Sequence, residues 1–419
     1  MKALILSQHF WPESFRINEV AHSLKEVGCE VTVLTGQPNY PDGAVFPGYS
    51  AFATGSEDFD GIVVHRVPLI PRGRSGALRL VGNYLSFICS ASAIGPWRLR
   101  GQSFDVILVY GTSPILQAIA ALVLRMFKRC PVVVWIQDLW PQSLQVTGYV
   151  RNPRLLTIVA AVVRWIYRRS DLLLVQSNGF VSAVGPMAGA TPVEIHPNPG
   201  ERAFGERAQP SAALTLDAGF NIVFAGNLGT VQALDTVIAA AALLRDEPDV
   251  RFVLIGSGSR ADTLRAEVER LALDNVHFTG RFPSETMPGI LTQASALLVS
   301  LNRDEILAQT IPSKVQAYLA AGRPVIASLD GEGARLIEEA HAGIACPAED
   351  AAALADAVRW LKSLPPDTLD EMGRRGRAYY DAHFDPATLA RQLIRRLEQL
   401  AGKRLDRQAP GSNMRSDNG

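Results

Sequence analysis

The sequence contains few cysteines, and they follow no pattern that would bind a metal or form a disulfide framework. Only four cysteines occur in 419 residues, and none of them belongs to a CxxC pair. Scattered cysteines of this kind are typical of reduced, mostly buried thiols in a cytosolic protein. We therefore expect a cytoplasmic chain without a zinc site.

The chain also lacks a long hydrophobic run. A membrane-spanning helix needs about 18 apolar residues without charges, and the nearest stretch, Leu155–Tyr167, is interrupted by Arg164. The apolar run Ala3–Leu6 is too short for a signal peptide. Lys+Arg and Asp+Glu are both 41, and the slightly basic first half is no nucleic-acid signature. We expect no membrane span and no nucleic-acid partner.

Apolar runs alternate with helix-spaced patterns along the chain. Residues 2–35 predict strand, helix and strand, which indicates a parallel sheet with a right-handed crossover. The alternation restarts at residue 221. Two consecutive α/β halves predict two doubly wound domains, over residues 1–200 and 201–384. The polar tail over residues 406–419 is predicted to be disordered.

The stretch Glu305–Ser328 combines a helix start with a basic residue. Pro312 and Ser313 favour the beginning of a helix, and Gly322 favours its end. The first turn of such a helix offers free amides and a positive dipole end, to which Lys314 adds a full charge. The stretch indicates a phosphate site; the alternative is an ordinary αβ unit with a solvated lysine.

A Gly256-Ser-Gly258 turn lies between a predicted strand and a predicted helix. This is the place for a turn that cradles a phosphate, but Ala261 occupies the third glycine position of a dinucleotide fingerprint. Binding of NAD is therefore not expected. Nucleotide contact and tight strand–helix packing both remain open.

Asp138 in WIQDLWPQSL ends a predicted strand, at the edge where open α/β sheets place their ligands. A carboxylate at this edge can act as a base. The alternative is a cap for the helix expected over Trp140–Leu144.

Asp58-Phe-Asp60 matches a DxD metal motif, but its position in a turn favours solvated carboxylates. We expect no bound metal.

The segment from Gly61 to Phe104 contains six arginines and neither lysine nor acidic residues. Within it, Leu78, Val81, Leu85 and Ile88 are helix-spaced. The arginines that precede or begin this helix are Arg72, Arg74 and Arg79. The pattern is that of an interfacial helix on anionic lipid; a core helix with solvated arginines is the alternative.

Together these motifs resemble family 4 glycosyltransferases of the GT-B fold, and among them the colanic-acid and O-antigen branch. The resemblance extends to about residue 400 and rests on VGCEVTVLTGQPNYPDG, WIQDLWPQSL, FAGNLGTVQALDTVI, LIGSGS and PSKVQAYLAAGRPVIAS. It implies two Rossmann-like domains with a cleft between them, and a helix over residues 385–405 that returns to the first domain. It also implies retaining, metal-independent transfer from a UDP- or GDP-sugar, without a cofactor.

The resemblance further implies roles for individual residues. The catalytic residues would be Asp138, near the acceptor hydroxyl, and Lys314, on the diphosphate. The donor-binding residues would be Gly226, Asn227, Leu228, Gly229, Gln232, Gly256, Gly258, Ser313, Lys314 and Glu338. The acceptor-binding residues would be Asn39, Tyr40, Pro41, Asp42, Arg72 and Arg74. The implied acceptor is an undecaprenyl-diphosphate-linked saccharide at the anionic inner face of the plasma membrane.

The chain departs from the family pattern at four positions. Gln309 and Ala317 stand where the family usually carries two glutamates, and Asn227 and Gln232 stand where many members carry arginine and lysine. Glu305 or Glu338 is a candidate substitute for the glutamates. These departures motivate one alternative, a non-catalytic GT-B subunit that binds nucleotide-sugar or a partner enzyme. A nucleotide-sugar epimerase is the other.

Overall fold

The computed structural model describes residues 1–73, 76–146, 152–205 and 209–408, and the chain divides into two compact units. Unit 1 comprises residues 1–175, 181–196 and 389–419, and unit 2 comprises residues 176–180 and 197–388. The boundary lies slightly before the predicted one at residue 200, and no sequence pattern indicated that residues 176–180 belong to unit 2.

Unit 1 is built on a sheet of eight strands in the order β3-β4-β2-β1-β5-β6-β7-β8. All neighbouring strands are parallel except β3 and β4. The strands are β1 (Lys2–Leu6), β2 (Glu30–Thr35), β3 (Gly55–Phe59), β4 (Ile62–Arg66), β5 (Val106–Gly111), β6 (Val132–Ile136), β7 (Leu172–Val175) and β8 (Val193–Ile195). The helices along this part of the chain are α1 (Arg16–Glu26), α2 (Ala77–Arg98), α3 (Ala118–Lys128), α4 (Gln142–Val146), α5 (Pro153–Arg169) and α6 (Asn178–Ala188).

Unit 2 is built on a fully parallel sheet of six strands in the order β11-β10-β9-β12-β13-β14. The strands are β9 (Phe220–Ala225), β10 (Val250–Ile255), β11 (Val276–Gly280), β12 (Ala296–Ser300), β13 (Val325–Ser328) and β14 (Gly343–Cys346). The helices are α7 (Leu234–Leu243), α8 (Ala261–Arg270), α9 (Met287–Leu291), α10 (Glu305–Ala308), α11 (Ser313–Ala321), α12 (Glu332–Glu339), α13 (Ala351–Ser363) and α14 (Pro366–His383).

The last helix is α15 (Pro386–Gln408). From Leu389 onward its residues belong to unit 1, and Leu393 and Leu397 pack in the same core cluster as Ile5 of β1. The helix predicted over residues 385–405 therefore corresponds to α15, apart from Asp385. Of the predicted disordered tail, residues 406–408 are helical, which corrects the prediction there, and residues 409–419 lie outside the described residues.

Both units are α/β folds, and the strand order of each sheet indicates the edge at which a ligand is expected. The predicted fold class of two Rossmann-like, doubly wound domains is confirmed. In unit 1 the strand order reverses between β1 and β5, and in unit 2 it reverses between β9 and β12. Ligands of open α/β sheets bind beside the carboxyl ends of strands at such switch points. The loops that follow these strands are therefore the places to look for a site.

Helix α2 contains the apolar stripe of the arginine-rich segment. Leu78, Val81 and Leu85 are 88%, 50% and 52% exposed, whereas Phe87 and Ile88 are buried. The apolar stripe therefore lies uncovered at Leu78, Val81 and Leu85 and belongs to the core at Phe87 and Ile88. Among the described helices, none combines the length and apolarity required to cross a membrane.

Candidate functional site

Unit 2 contains a cavity of about 500 Å³ beside the carboxyl ends of β9 and β10 and the first turn of α11. Five of the predicted donor-binding residues line it: Gly226, Asn227, Gly256, Ser313 and Lys314. They come from three separate stretches of sequence. The parallel sheet brings these stretches together because β9 and β10 are neighbours that end at the same edge.

Among the described residues, Lys314 is the only lysine on this cavity wall. Its ammonium lies 3.8 Å from the centroid of the Phe224 ring and donates a hydrogen bond to Oε1 of Gln232. No carboxylate pairs with it among the described residues. Burial lowers the pKa of Lys314 from 10.5 to about 7, since a desolvated ammonium without a countercharge is disfavoured. A bound anion would provide the missing charge partner.

The two glycine loops allow the strand ends to approach this lysine. Gly226 and Gly256 have φ angles of +145° and +142°, which side chains rarely adopt. A Cβ at Gly256 would collide with the carbonyl oxygen of Gly226, and a Cβ at Gly226 would collide with the side chain of Lys314. The glycines therefore serve both close packing and cavity formation.

The first turn of α11 forms the adjoining wall. The helix begins at Ser313 after an extended Pro312, no side chain caps its amides, and it ends at Gly322 with a φ angle of +69°. Uncapped amides at a helix N-terminus, together with a lysine, are a favourable environment for a phosphate group. The local geometry agrees with the phosphate-site interpretation of this stretch.

Four other predicted donor-binding residues support the loops from behind the cavity wall. Leu228 and Gly229 are buried, and the Leu228 amide donates to the carbonyl of Ser257 at 2.8 Å. A Cβ at Gly258 would collide with the Leu228 carbonyl, so Gly258 serves the packing of the two loops. Gln232 contacts Lys314.

The positions related to the family glutamates lie in different surroundings. Ala317 lines the cavity, whereas the Gln309 carbonyl accepts a hydrogen bond from Ser177 Oγ at 2.6 Å within unit 2. Glu305 and Glu338 are exposed on α10 and α12, and neither lines the cavity. Neither candidate substitute is therefore placed on the cavity wall.

Arg281 is on this wall; its position directly after β11 is the signal that sequence reasoning missed.

Unit 1 contains a second cavity, of about 480 Å³. Three predicted residues line it: Tyr40, Arg72 and Asp138. Most of its wall is apolar, with contributions from Leu80, Val81, Leu85, Leu116, Leu144, Leu155 and Val159. The cavity lies beside the loops that follow β1, β5 and β6, at the edge where the strand order predicts a ligand.

Asp138 is held by side chains in this cavity. Its Oδ2 accepts hydrogen bonds from Trp140 Nε1 at 3.3 Å and from Ser143 Oγ at 3.1 Å. Both donors belong to the Trp140–Leu144 segment of the helix-cap alternative, and Asp138 also lines the cavity of the functional interpretation. The carboxylate is thus positioned on the cavity wall as the functional interpretation requires.

The predicted acceptor loop divides into a scaffold part and an exposed part. Asn39 is fully buried, and its Oδ1 accepts a hydrogen bond from the Arg72 amide at 3.0 Å. The Arg72 guanidinium lies 5.3 Å from the Tyr40 ring centroid. Pro41 and Asp42 are exposed and do not line the cavity. Arg74 lies outside the described residues.

Two buried residues at the polar end of this cavity were not predicted. His9 lines the cavity, and its Nδ1 lies 3.0 Å from Oε2 of Glu13. Glu13 Oε1 accepts hydrogen bonds from the amides of Asn39 and Tyr40, both at 2.7 Å. The signal that could have indicated His9 is the polar run Ser7–His9 directly after β1.

Comparisons with known proteins agree with this arrangement of two units. Residues 14–200 match the family described as glycosyl transferase 4-like domain, and residues 219–363 match glycosyl transferases group 1. WcaI of Escherichia coli K12, a glycosyl transferase assigned to colanic acid biosynthesis, is 27% identical over 94% of this chain and 99% of its own length.

Solved structures share the fold. Sucrose-phosphate synthase from Thermosynechococcus elongatus superposes with a TM-score of 0.68 at 18% identity, over 96% of this chain and 99% of that one. HepE from Anabaena, in complex with UDP, has a TM-score of 0.67 at 16% identity, over 95% of this chain and 100% of that one. The chain belongs to the glycosyltransferases of the GT-B fold, with a glycosyl transferase 4-like domain followed by a group 1 domain.

Proposed function

We propose that this glycosyltransferase moves a sugar from a UDP- or GDP-sugar to a lipid-linked saccharide in exopolysaccharide or O-antigen biosynthesis. The observation that carries the donor part is Lys314, an ammonium that has no carboxylate partner among the described residues and lies beside the uncapped first turn of α11. The diphosphate of a nucleotide-sugar supplies a negative charge that can pair with Lys314. The HepE structures with UDP or UDP-glucose support a nucleotide-sugar donor on the same fold.

In the proposed reaction, the chain stabilises the departing diphosphate instead of forming a covalent intermediate. Lys314 and the amides of the first turn of α11 would bind the charge that develops on the leaving group. Asp138 would accept a hydrogen bond from the attacking hydroxyl. The proposed transfer retains the anomeric configuration and uses neither a metal nor a cofactor; Lys314 takes the electrostatic role that a divalent cation plays elsewhere.

The acceptor part of the proposal rests on the unit 1 cavity and on the comparison with WcaI. The cavity combines an apolar wall with Asp138, as an acceptor with a lipid portion and a sugar portion requires. Leu78 and Val81 of α2 are exposed. Arg72 and Arg79 lie close to them in the sequence. We place the protein at the cytoplasmic face of the plasma membrane, in peripheral contact with anionic lipid and with an undecaprenyl-diphosphate-linked acceptor.

A thermal-shift panel with UDP, GDP and their sugars tests the donor part. A ligand present at one hundred times its Kd stabilises the folded state by about 2.7 kcal/mol, which produces a clear rise in Tm. UMP and GMP are the matched controls because they lack the second phosphate. Stabilisation by a nucleoside diphosphate but not by its monophosphate is expected; no stabilisation by any nucleotide would contradict the proposal.

Product analysis with the purified chain tests the reaction itself. Transfer to lipid-linked saccharides, with the anomeric configuration of the donor, is the expected outcome. Donor binding without transfer would instead indicate the non-catalytic subunit, and conversion of the donor without acceptor would indicate the epimerase.

Sedimentation with vesicles tests the membrane contact: binding to anionic but not to neutral vesicles is expected, and no binding to anionic vesicles would contradict it.

A further inference from the structure

His9 and Glu13 form a buried polar pair that the proposed reaction does not use. Their exposed fractions are 3% and 2%. Burying a carboxylate and an imidazole is costly unless their polar atoms are satisfied. The burial of this pair is therefore explained by the hydrogen bonds of Glu13 and by the ring nitrogen Nε2 of His9.

The contacts of Glu13 determine which nitrogen of His9 carries a proton. Glu13 Oε1 accepts hydrogen bonds from two backbone amides, at 2.7 Å each, and Oε2 lies 3.0 Å from His9 Nδ1. An ionised carboxylate only accepts hydrogen bonds. Nδ1 must therefore be the donor, and in the neutral ring Nε2 is the acceptor.

The ring is also fixed in orientation by its neighbours. It stacks on Phe15, with ring centroids 4.9 Å apart and an interplanar angle of 11°, and it contacts Tyr40 at 5.7 Å. In the part of the chain that the structure describes, Nε2 has no hydrogen-bond partner. A preorganised acceptor atom thus remains on a residue that lines the cavity.

Thr112 offers a second polar atom on the wall of this cavity. The Thr112 side chain lines the cavity, and within the described ranges its buried Oγ1 has no hydrogen-bond partner. Asp138 lines the same cavity. Unsatisfied buried polar atoms are uncommon in folded proteins and indicate a role or a missing ligand. Here an acceptor nitrogen, a hydroxyl and a carboxylate belong to residues of one cavity whose wall is mostly apolar.

We propose that this polar end binds the hydroxyl groups of the acceptor sugar, and that His9 Nε2 accepts a hydrogen bond from one of them. Glu13 is then a positioning residue, which fixes the imidazole and links it to the Asn39–Tyr40 loop. The inference rests on the proposed function, because it concerns the acceptor of that reaction. It adds His9 as a substrate-contacting residue and a sugar hydroxyl as its ligand.

The first experiment measures binding of n-octyl β-D-glucopyranoside to the full chain by calorimetry, below the critical micelle concentration. Tetraethylene glycol monooctyl ether, which has the same alkyl chain and no sugar hydroxyls, is the control. His9→Asn keeps a donor near the Nδ1 position and removes Nε2. We expect His9→Asn to bind the glucoside about five- to tenfold more weakly, the loss of one hydrogen bond, and to bind the ether unchanged.

The second experiment follows the histidine nitrogens by NMR in ¹⁵N-histidine-labelled protein. The chain has seven histidines, and the signal that His9→Asn removes identifies His9. We expect the glucoside, but not the ether, to shift the Nε2 resonance. Glu13→Gln should reverse the tautomer, since the amide nitrogen of glutamine can donate to Nδ1. This variant keeps the size of the side chain, and its spectrum also reports whether the fold is intact.

Three outcomes would overturn the inference: no binding of the glucoside by the native chain, equal loss of both amphiphiles in His9→Asn, or an Nε2 resonance that the glucoside leaves unmoved. None of them depends on nucleotide. The donor part of the proposed function is tested separately by the nucleotide panel, so failure of the acceptor inference and failure of the donor assignment are distinguishable.

Discussion

The two cavities of this chain are alike in position and opposite in lining. Both occupy the carboxyl ends of parallel strands where the strand order reverses, and their volumes are about 500 Å³ and 480 Å³. The cavity of unit 2 combines glycine loops with Lys314, which has no carboxylate partner in the part of the chain that the structure describes, whereas that of unit 1 combines an apolar wall with His9 and Asp138. The sheet topology thus determines where a cavity forms, and the side chains that line the cavity determine the charge and polarity of the ligand that it can bind.

The largest expected effect is on the charge of the unit 2 cavity. Lys314→Ala should lower the rate of sugar transfer by at least tenfold and up to about a hundredfold, because removal of one preorganised donor costs about 3 kcal/mol. Initial rates and circular dichroism check the change and the fold. Lys2→Ala, which removes an exposed lysine of unit 1, is the control. An unchanged rate for Lys314→Ala would remove the basis for a diphosphate site.

A smaller effect is expected from the carboxylate of the unit 1 cavity. Asp138→Asn should lower transfer by about tenfold, since a hydrogen bond to a charged group contributes about 1.5–3 kcal/mol. The Kd of the nucleotide should stay the same, because Asp138 belongs to unit 1 and Lys314 to unit 2. If Asp138→Asn lost as much nucleotide affinity as it loses transfer rate, the assignment of the donor to one cavity and of the acceptor to the other would be wrong.

The pH dependence of nucleotide binding should be moderate and should have a definite sign. Burial lowers the pKa of Lys314 to about 7, so the free protein loses this positive charge as the pH rises through 7. The affinity for a nucleoside diphosphate should fall severalfold between about pH 6.5 and about pH 8, with uptake of a proton on binding. Calorimetry in two buffers of different ionisation enthalpy measures both quantities. Lys314→Ala should show a flat profile over this range.

The smallest effect is expected at the two glutamates considered as substitutes. Glu305 and Glu338 are exposed and do not line the cavity. Glu338→Gln and Glu305→Gln should each change the rate of transfer less than about twofold, as surface substitutions usually contribute within 0.5 kcal/mol. A tenfold loss in either variant would show that the glutamate reaches the donor and that the unit 2 cavity includes α10 or α12.

Local features of the site were predictable from the sequence. Pro312, Ser313 and Gly322 mark the ends of α11 because helix termini depend on backbone conformation and on adjacent residues. Asp138 was placed on a strand end by the same kind of local pattern. The alternation of strands and helices was sufficient to predict two parallel sheets, since each βαβ unit imposes its own direction.

Features that depend on tertiary contacts were not predictable. The pairing of His9 with Glu13 requires the Asn39–Tyr40 loop to fold against Glu13, which no local pattern indicates. The periodicity of α2 showed an apolar stripe but could not show that Leu78 would be uncovered. The division of the chain likewise depends on packing, which is why residues 176–180 were assigned to the wrong half.

Calorimetric titration of UDP and GDP into the native chain, Lys314→Ala and Asp138→Asn tests the central claim most directly. The claim is that the unit 2 cavity binds the diphosphate through Lys314 while Asp138 serves the acceptor. One nucleotide should bind the native chain and Asp138→Asn with the same Kd, and should bind Lys314→Ala at least tenfold more weakly. Equal affinity of the native chain and Lys314→Ala would contradict the claim.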